Sequence, residues 1–175
     1  MKRFGVLAAA GGALFALILG TGCNAEVHDA TAPSCSSRWV EPLVLVAQSV
    51  PTADRIPCII ALPLGWKVGA VEVRDGRTSF RLDTNGGPTN RLKVVLQEEC
   101  SLAGATEVPS DEPGTVRWDR LPTETGRRMV RTYTFTGGCV NYEFELSGAT
   151  AGRMDEASLA VGFLTRADIE RRFDQ

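Results

Sequence analysis

Histidine is almost missing from this chain. Among 175 residues there is one, His28, and lysine occurs only at Lys2, Lys67 and Lys93, against 16 arginines. A serine or cysteine nucleophile activated by histidine would have only His28 as its base, within a stretch of small polar residues that suggests no ordered pocket. The chain has no G-x-S-x-G elbow, no H-E-x-x-H helix, no S-x-x-K, no phosphate-cradling glycine loop and no C-x-x-C. Neither Asp83-Thr84-Asn85-Gly86 nor the acidic run around Glu107, Asp111 and Glu112 has the spaced oxygen ligands of a calcium loop. Carboxylates are numerous, yet no pair sits where one pKa would rise and the other stay low, and a glycosidase's two acids can lie far apart in sequence. The expectation is a protein that is not an enzyme, with no cofactor and no metal.

An excess of positive charge is missing too. The formal net charge is −2, and the arginine-for-lysine skew, beside plentiful Ala, Gly and Val, is what GC-rich coding produces. A nucleic-acid partner would call for a basic surface, so none is expected.

The one long hydrophobic run is at the start. Lys2 and Arg3 precede apolar or small residues from Phe4 to Gly22, ending Leu19-Gly20-Thr21-Gly22-Cys23. This resembles the lipoprotein signal peptide of bacteria, in which small residues precede a lipidated cysteine. Here Gly20 takes the place usual for leucine, and Leu19 stands one earlier. The resemblance covers residues 1–23 and implies that the Cys23 thiol is diacylglycerylated and that the peptide is cut before it, leaving Cys23 as a lipidated N-terminus with a palmitate-type anchor. The protein would then sit on the extracytoplasmic face of the cell membrane. A plain secretory signal has the same charged, apolar and small-residue regions, and an uncleaved span needs roughly 17–25 apolar residues, which the run barely supplies.

The implied organisation is a signal peptide over 1–22, a lipidated N-terminus with a flexible tether over 23–34, and one globular domain over 35–175. Taking Lys2 and Arg3 from the 19 basic residues leaves 17 against 21 acidic ones, a net of −4 for the mature part. Cys35, Cys58, Cys100 and Cys139 remain, an even count that suits two disulfides in an oxidising compartment. Three pairings are possible. Cys35–Cys58 with Cys100–Cys139 is favoured, because the first would bracket one helical segment and the second would join two strands. Each is expected to stabilise by about 2–4 kcal/mol.

Periodicity gives the rest. Trp39, Leu43, Val46, Ala47 and Val50 recur at near-helical spacing between Pro42, suited to a first turn, and Pro51, which stops the run. Cys58 to Leu62, between Pro57 and Pro63, reads as extended and packed on the core. Strands are expected at Trp66–Val73, Thr78–Asp83, Arg91–Glu99, Arg128–Phe135 and Cys139–Leu146, with turns at Asp75-Gly76 and Gly137-Gly138. The last alternates cleanly, with Val140, Tyr142, Phe144 and Leu146 on one face. Ala103 to Thr125 reads as a long loop pinned by Trp118. Met154 to Phe163 suits a short helix or a final strand, and Thr165 with Asp168 suits the N-terminal cap of a last helix that docks Leu164, Ile169 and Phe173. The fold expected is α+β: an antiparallel sheet of about five strands with a helix before it and a C-terminal helix.

One charge breaks the pattern. Arg131 falls on the same face as Met129, Tyr133 and Phe135. Either it snorkels or pairs with a carboxylate such as Glu98, or it meets an anionic ligand in a cavity. Two functions are therefore carried forward. The first is a lipid-anchored interaction or accessory protein bound to an envelope protein, and the second is a small-ligand binding lipoprotein with Arg131 in its site.

Overall fold

The computed structural model describes residues 27–28, 31–36, 40–85, 90–121, 128–146 and 151–173. The leader, Cys23 and Trp39 lie outside the described residues. In chain order the elements are β1 (Val27–His28), α1 (Glu41–Ser49), β2 (Arg55–Ile59), β3 (Trp66–Arg74), β4 (Arg77–Thr84) and β5 (Asn90–Gln97). These are followed by β6 (Thr106–Val108), β7 (Val116–Arg120), β8 (Arg128–Phe135), β9 (Gly138–Leu146), α2 (Ala151–Leu159), β10 (Val161–Thr165) and α3 (Arg166–Phe173).

Two antiparallel runs, β3 to β5 and β6 to β9, join where β5 pairs with β9. The resulting order is β3-β4-β5-β9-β8-β7-β6, with β1 adding an eighth strand beside β3. Turn chemistry sets these registers. Gly76 and Gly137 have φ of 72° and 74°, which glycine adopts without a Cβ clash, and they close the β3–β4 and β8–β9 hairpins. Gly137 has a second constraint, because a Cβ there would collide with the Thr52 carbonyl.

Register then decides which face is apolar. Phe80, Val94 and Tyr142 form one row across β4, β5 and β9, and Leu82, Leu92, Phe144 and Met129 form the next. All are buried, and one core cluster joins them to Leu43, Val46 and Val50 of α1, Ile56 and Cys58 of β2, Val161 of β10 and Ile169 of α3. The architecture is α+β. One face of the main sheet is covered by the three helices and the small β2–β10 sheet. A buried hydroxyl pair, Ser49 and Thr78 at 2.6 Å, ties α1 to β4.

The structure has more strands than the five expected. The stretch read as a loop, Ala103 to Thr125, contributes β6 and β7. Both carry polar side chains on both faces at a sheet edge, so period-2 alternation is lost. The tail is helix and strand in succession, α2 then β10. Cys58 to Leu62 does not pack as a unit: β2 starts earlier, at Arg55, and ends at Ile59, while Ile60 and Leu62 are exposed. Parts of the expected tether pair with the domain: Val27 and His28 lie opposite Val73 and Glu72, and Ser34 opposite Ile59. The Pro33 carbonyl also accepts from the Ile59 N–H at 2.8 Å.

The disulfides are Cys35–Cys58 and Cys100–Cys139. The first fastens the incoming chain to β2, and the second ties the exit from β5 to β9. The capping pair is also present, since the Asp168 N–H donates to Thr165 Oγ1 at 3.1 Å and the Thr165 N–H donates to Asp168 Oδ2 at 3.0 Å. The Thr165 hydroxyl also donates to Asp168 Oδ2, at 2.7 Å, and this bond, followed by the one from the Thr165 N–H, holds the Asp168 carboxyl below its ordinary range.

Candidate functional site

The inner face of the sheet turns polar toward β7. Pairing sets Asp119 opposite Arg131 and Arg117 opposite Tyr133, so four polar side chains share the face that is apolar three strands away. Arg131 is 3% exposed, and its guanidinium is held on three sides. Nε donates to Asp119 Oδ1 at 3.1 Å, Nη1 to Ser158 Oγ at 2.9 Å and Nη2 to Asp155 Oδ1 at 3.3 Å. Ser158 and Asp155 come from α2, which the sequence left undecided between helix and strand. Its helical spacing of three brings both to the same guanidinium.

Asp119 also takes two bonds from Arg117, at 3.1 Å and 2.6 Å. Burial alone would raise its carboxyl pKa, but the hydrogen bonds and charges of Arg117 and Arg131 outweigh it and hold the group below its ordinary value. The Arg117 guanidinium is correspondingly raised, chiefly by its hydrogen bond to Asp119. Asp119 thus binds two guanidinium groups at once, Arg117 through two hydrogen bonds and Arg131 through one.

The turn before β7 folds onto this seam. Ser110 Oγ accepts from the Glu112 N–H at 3.2 Å, and Thr115 Oγ1 donates to the Glu112 carbonyl at 2.9 Å. Gly114 has φ of 72° and lies so close to the Arg55 guanidinium that a Cβ would collide with it. From this turn Asp111 accepts the Tyr133 hydroxyl at 2.9 Å. Burial, then that bond, pushes the Tyr133 phenol well up. Burial and the neighbouring Asp111 also raise the Glu112 carboxyl, against a lowering by Arg55. Beside the seam, the Tyr142 hydroxyl and Arg55 Nε are buried without a hydrogen-bond partner among the described residues.

No protein-family model, curated protein or solved structure matches this chain. Its function is therefore argued from the site itself.

The seam brings Arg131 together with Asp119, Arg117, Ser158 and Asp155, and not with Glu98, which is exposed at the far end of β5. Trp118 points the other way, to the outer face, where its indole N–H donates to Thr134 Oγ1 at 3.3 Å. It pins the edge from outside rather than from the core. The four cysteines are spent in the two bridges, and Cys23 is outside the described residues. Among the described residues no three His, Cys, Asp or Glu side chains group as a metal site, and no helix is long and apolar enough to cross a membrane. Chemically the seam acts as a clamp. Three of the five guanidinium N–H groups of Arg131 are already donated within the chain.

Sequence reasoning missed Asp119 and Arg117. A signal was there: Arg117-x-Asp119 is a period-2 pair of opposite charges, of the kind that answers Arg131-x-Tyr133 on an adjacent strand.

Proposed function

We propose that this is a lipid-anchored accessory protein of the extracytoplasmic membrane face, acting by binding an envelope protein rather than by catalysis. The leader ending in Gly22-Cys23 supports the anchor, and the two disulfides support an oxidising compartment. The observation that carries the interaction reading is the segment between β2 and β3. There Ile60, Leu62 and Leu64 are 53%, 40% and 103% exposed. Leu159 is exposed next to them, since the Ile60 N–H donates to the Ala160 carbonyl at 2.9 Å. Large aliphatic side chains held this openly beside one another favour a partner.

Position favours a protein over the bilayer as that partner. Val27 pairs with Val73, so the chain enters the sheet at the Arg74 end of β3. Val27 is the fourth residue after Cys23, a reach of at most about 14 Å. Leu64 precedes the other end of β3, about 26 Å along the strand, and would face away from an anchoring membrane.

The anchor is tested by labelling with a palmitate analogue. The wild-type chain takes the label and Cys23→Ser does not; label retained on the variant refutes the anchor. The partner is tested with a photo-crosslinking residue at position 64 in intact cells, followed by mass spectrometry. One envelope protein should be captured at 64 and not from a control position in the Asp75-Gly76 turn. Equal capture at both positions refutes the surface.

A further inference from the structure

The outer face of the central strands carries a second charge cluster, unlike the clamp in how its charges are matched. Register places Asp83, Arg91, Glu145 and Arg128 in one row across β4, β5, β9 and β8, and Arg81, Lys93 and Glu143 in the next. Arg81, Arg91, Lys93, Arg128, Glu143 and Glu145 line a cleft of about 320 Å³. That volume is at the small end of ligand sites. Its β8–β9 side is self-neutralised. Glu145 pairs with Arg91 and with Arg128 Nη2, the latter at 2.6 Å, and hydrogen bonds from Arg128 and Arg91 hold its carboxyl below the ordinary range.

The β4–β5 side is not neutralised. Among the described residues Arg81 reaches only Asp83, at 3.9 Å, and its Nε is buried with no hydrogen-bond partner. Lys93 has no ion pair among the described residues. Gly69 of β3 keeps this wall tight, because a Cβ there would collide with Asp83 and press on Arg81. Four cations against two carboxylates leave the lining with a net +2, on a chain whose overall charge is −2.

We propose that this cleft binds a small phosphomonoester, with Arg81 and Lys93 as its principal contacts and Arg128 on the opposite wall. The charge matches: a phosphomonoester carries about −1.5 to −2 near pH 7, whereas a carboxylate or a phosphodiester carries one charge. The shape matches as well. Cations come from β4, β5 and β8, and a tetrahedral oxyanion presents acceptors in several directions, which arginine meets with charge-assisted hydrogen bonds. This site stands whether or not Cys23 is lipidated, and it uses none of the residues of the clamp.

The test is calorimetric titration of the full-length chain in detergent micelles with glycerol 3-phosphate, the phosphodiester dimethyl phosphate and acetate. Glycerol 3-phosphate should bind saturably, more weakly as salt rises, and the other two should bind much less. Arg81→Gln and Lys93→Gln should each weaken it about ten- to hundredfold, and Glu143→Gln should strengthen it. Arg77→Gln removes the same charge at the exposed start of β4 and should leave affinity unchanged. A folded chain that does not bind glycerol 3-phosphate overturns the proposal. So does a loss of affinity that Arg77→Gln and Lys93→Gln share equally, which would mark net charge alone. Equal binding of the diester overturns the selection for a dianion.

Discussion

Replacing Arg131 by Met separates a structural clamp from an open ligand anchor. Methionine fills much of the stem's volume, so the loss falls on the guanidinium, 3% exposed and bonded to Asp119, Ser158 and Asp155. The three contacts are unequal. Asp155 is 63% exposed and rehydrates on release, so its share is about 0–1 kcal/mol. Ser158 Oγ keeps its own bond to the Met154 carbonyl at 2.8 Å and loses one incoming donor, about 1 kcal/mol. Asp119 loses one guanidinium and keeps Arg117, about 1.5 kcal/mol or somewhat more for a charged bond. The total is about 2–4 kcal/mol, below the loss when a buried charge is left wholly alone. For a domain of this size that lowers Tm by roughly 5–15 °C. Urea denaturation should show a lower midpoint at constant slope, and Arg131→Met combined with Asp119→Asn should cost less than the sum of the two. The carboxyl of Asp119 is depressed below 3.8 in the fold, so its contribution is present above that pH and is lost as pH falls through the folded value. The gap between wild type and variant should therefore narrow on acidification below about pH 4. A loss under about 0.5 kcal/mol, or one that does not change with pH, would refute the clamp.

Opening the Cys100–Cys139 bridge by a double Ser substitution releases a loop of 39 residues and should cost about 4 kcal/mol, read by denaturation, against about 3.5 kcal/mol for Cys35–Cys58 with its separation of 23. A non-reducing peptide map should find those two linkages and no free thiol among the four; a Cys35–Cys100 peptide would contradict the fold. Burial and Asp111 raise the Glu112 carboxyl, so its ionised form strains the fold at neutral pH and is relieved as pH falls toward 4.5. Glu112→Gln should stabilise at pH 7 and be neutral at pH 4 by thermal melting. Gly137→Ala places a Cβ at φ of 74° against the Thr52 carbonyl and should cost at least about 1–3 kcal/mol.

The parts of the fold legible in the sequence were those where one local rule acts alone. Val140, Tyr142 and Phe144 alternate because β9 is central and has one face wet, Asp75-Gly76 turns because Gly76 tolerates positive φ, and Thr165 with Asp168 caps because the pair is three apart. What was hidden needed a distant partner. β2 contains Pro57, which suppresses a strand reading, yet Phe163 pairs opposite it in β10. Arg166 donates to the Ala47, Ala53 and Val50 carbonyls and so closes the end of α1 from more than a hundred residues away. Arg131 was legible as an anomaly and its partner was not, because Asp119 lies in a strand whose polar faces concealed it. The outer cleft had no signal of its own, since its members fall on β4, β5, β8 and β9 and meet only through register.

The two charge clusters lie on opposite faces of the same sheet, and the contrast between them bears on where a partner would act. On the inner face desolvation is severe, so an unmatched guanidinium would be costly, and Arg131 is matched at every nitrogen. On the outer face solvent tolerates mismatch, so Arg81 and Lys93 can stay underneutralised without unfolding the sheet. Trp66 pairs with Thr84, so the cleft rows of Asp83 and Arg81 lie toward the Trp66 end of β3, the end that follows Leu64. The chain enters at the other end, beside Val73. With Cys23 in a bilayer, the cleft and the exposed Leu64 would both be carried outward by the length of the sheet. A phosphomonoester would then be met from solution rather than from the membrane to which the protein is tied, and its site would lie at the same end of the sheet as the apolar segment proposed to meet a protein.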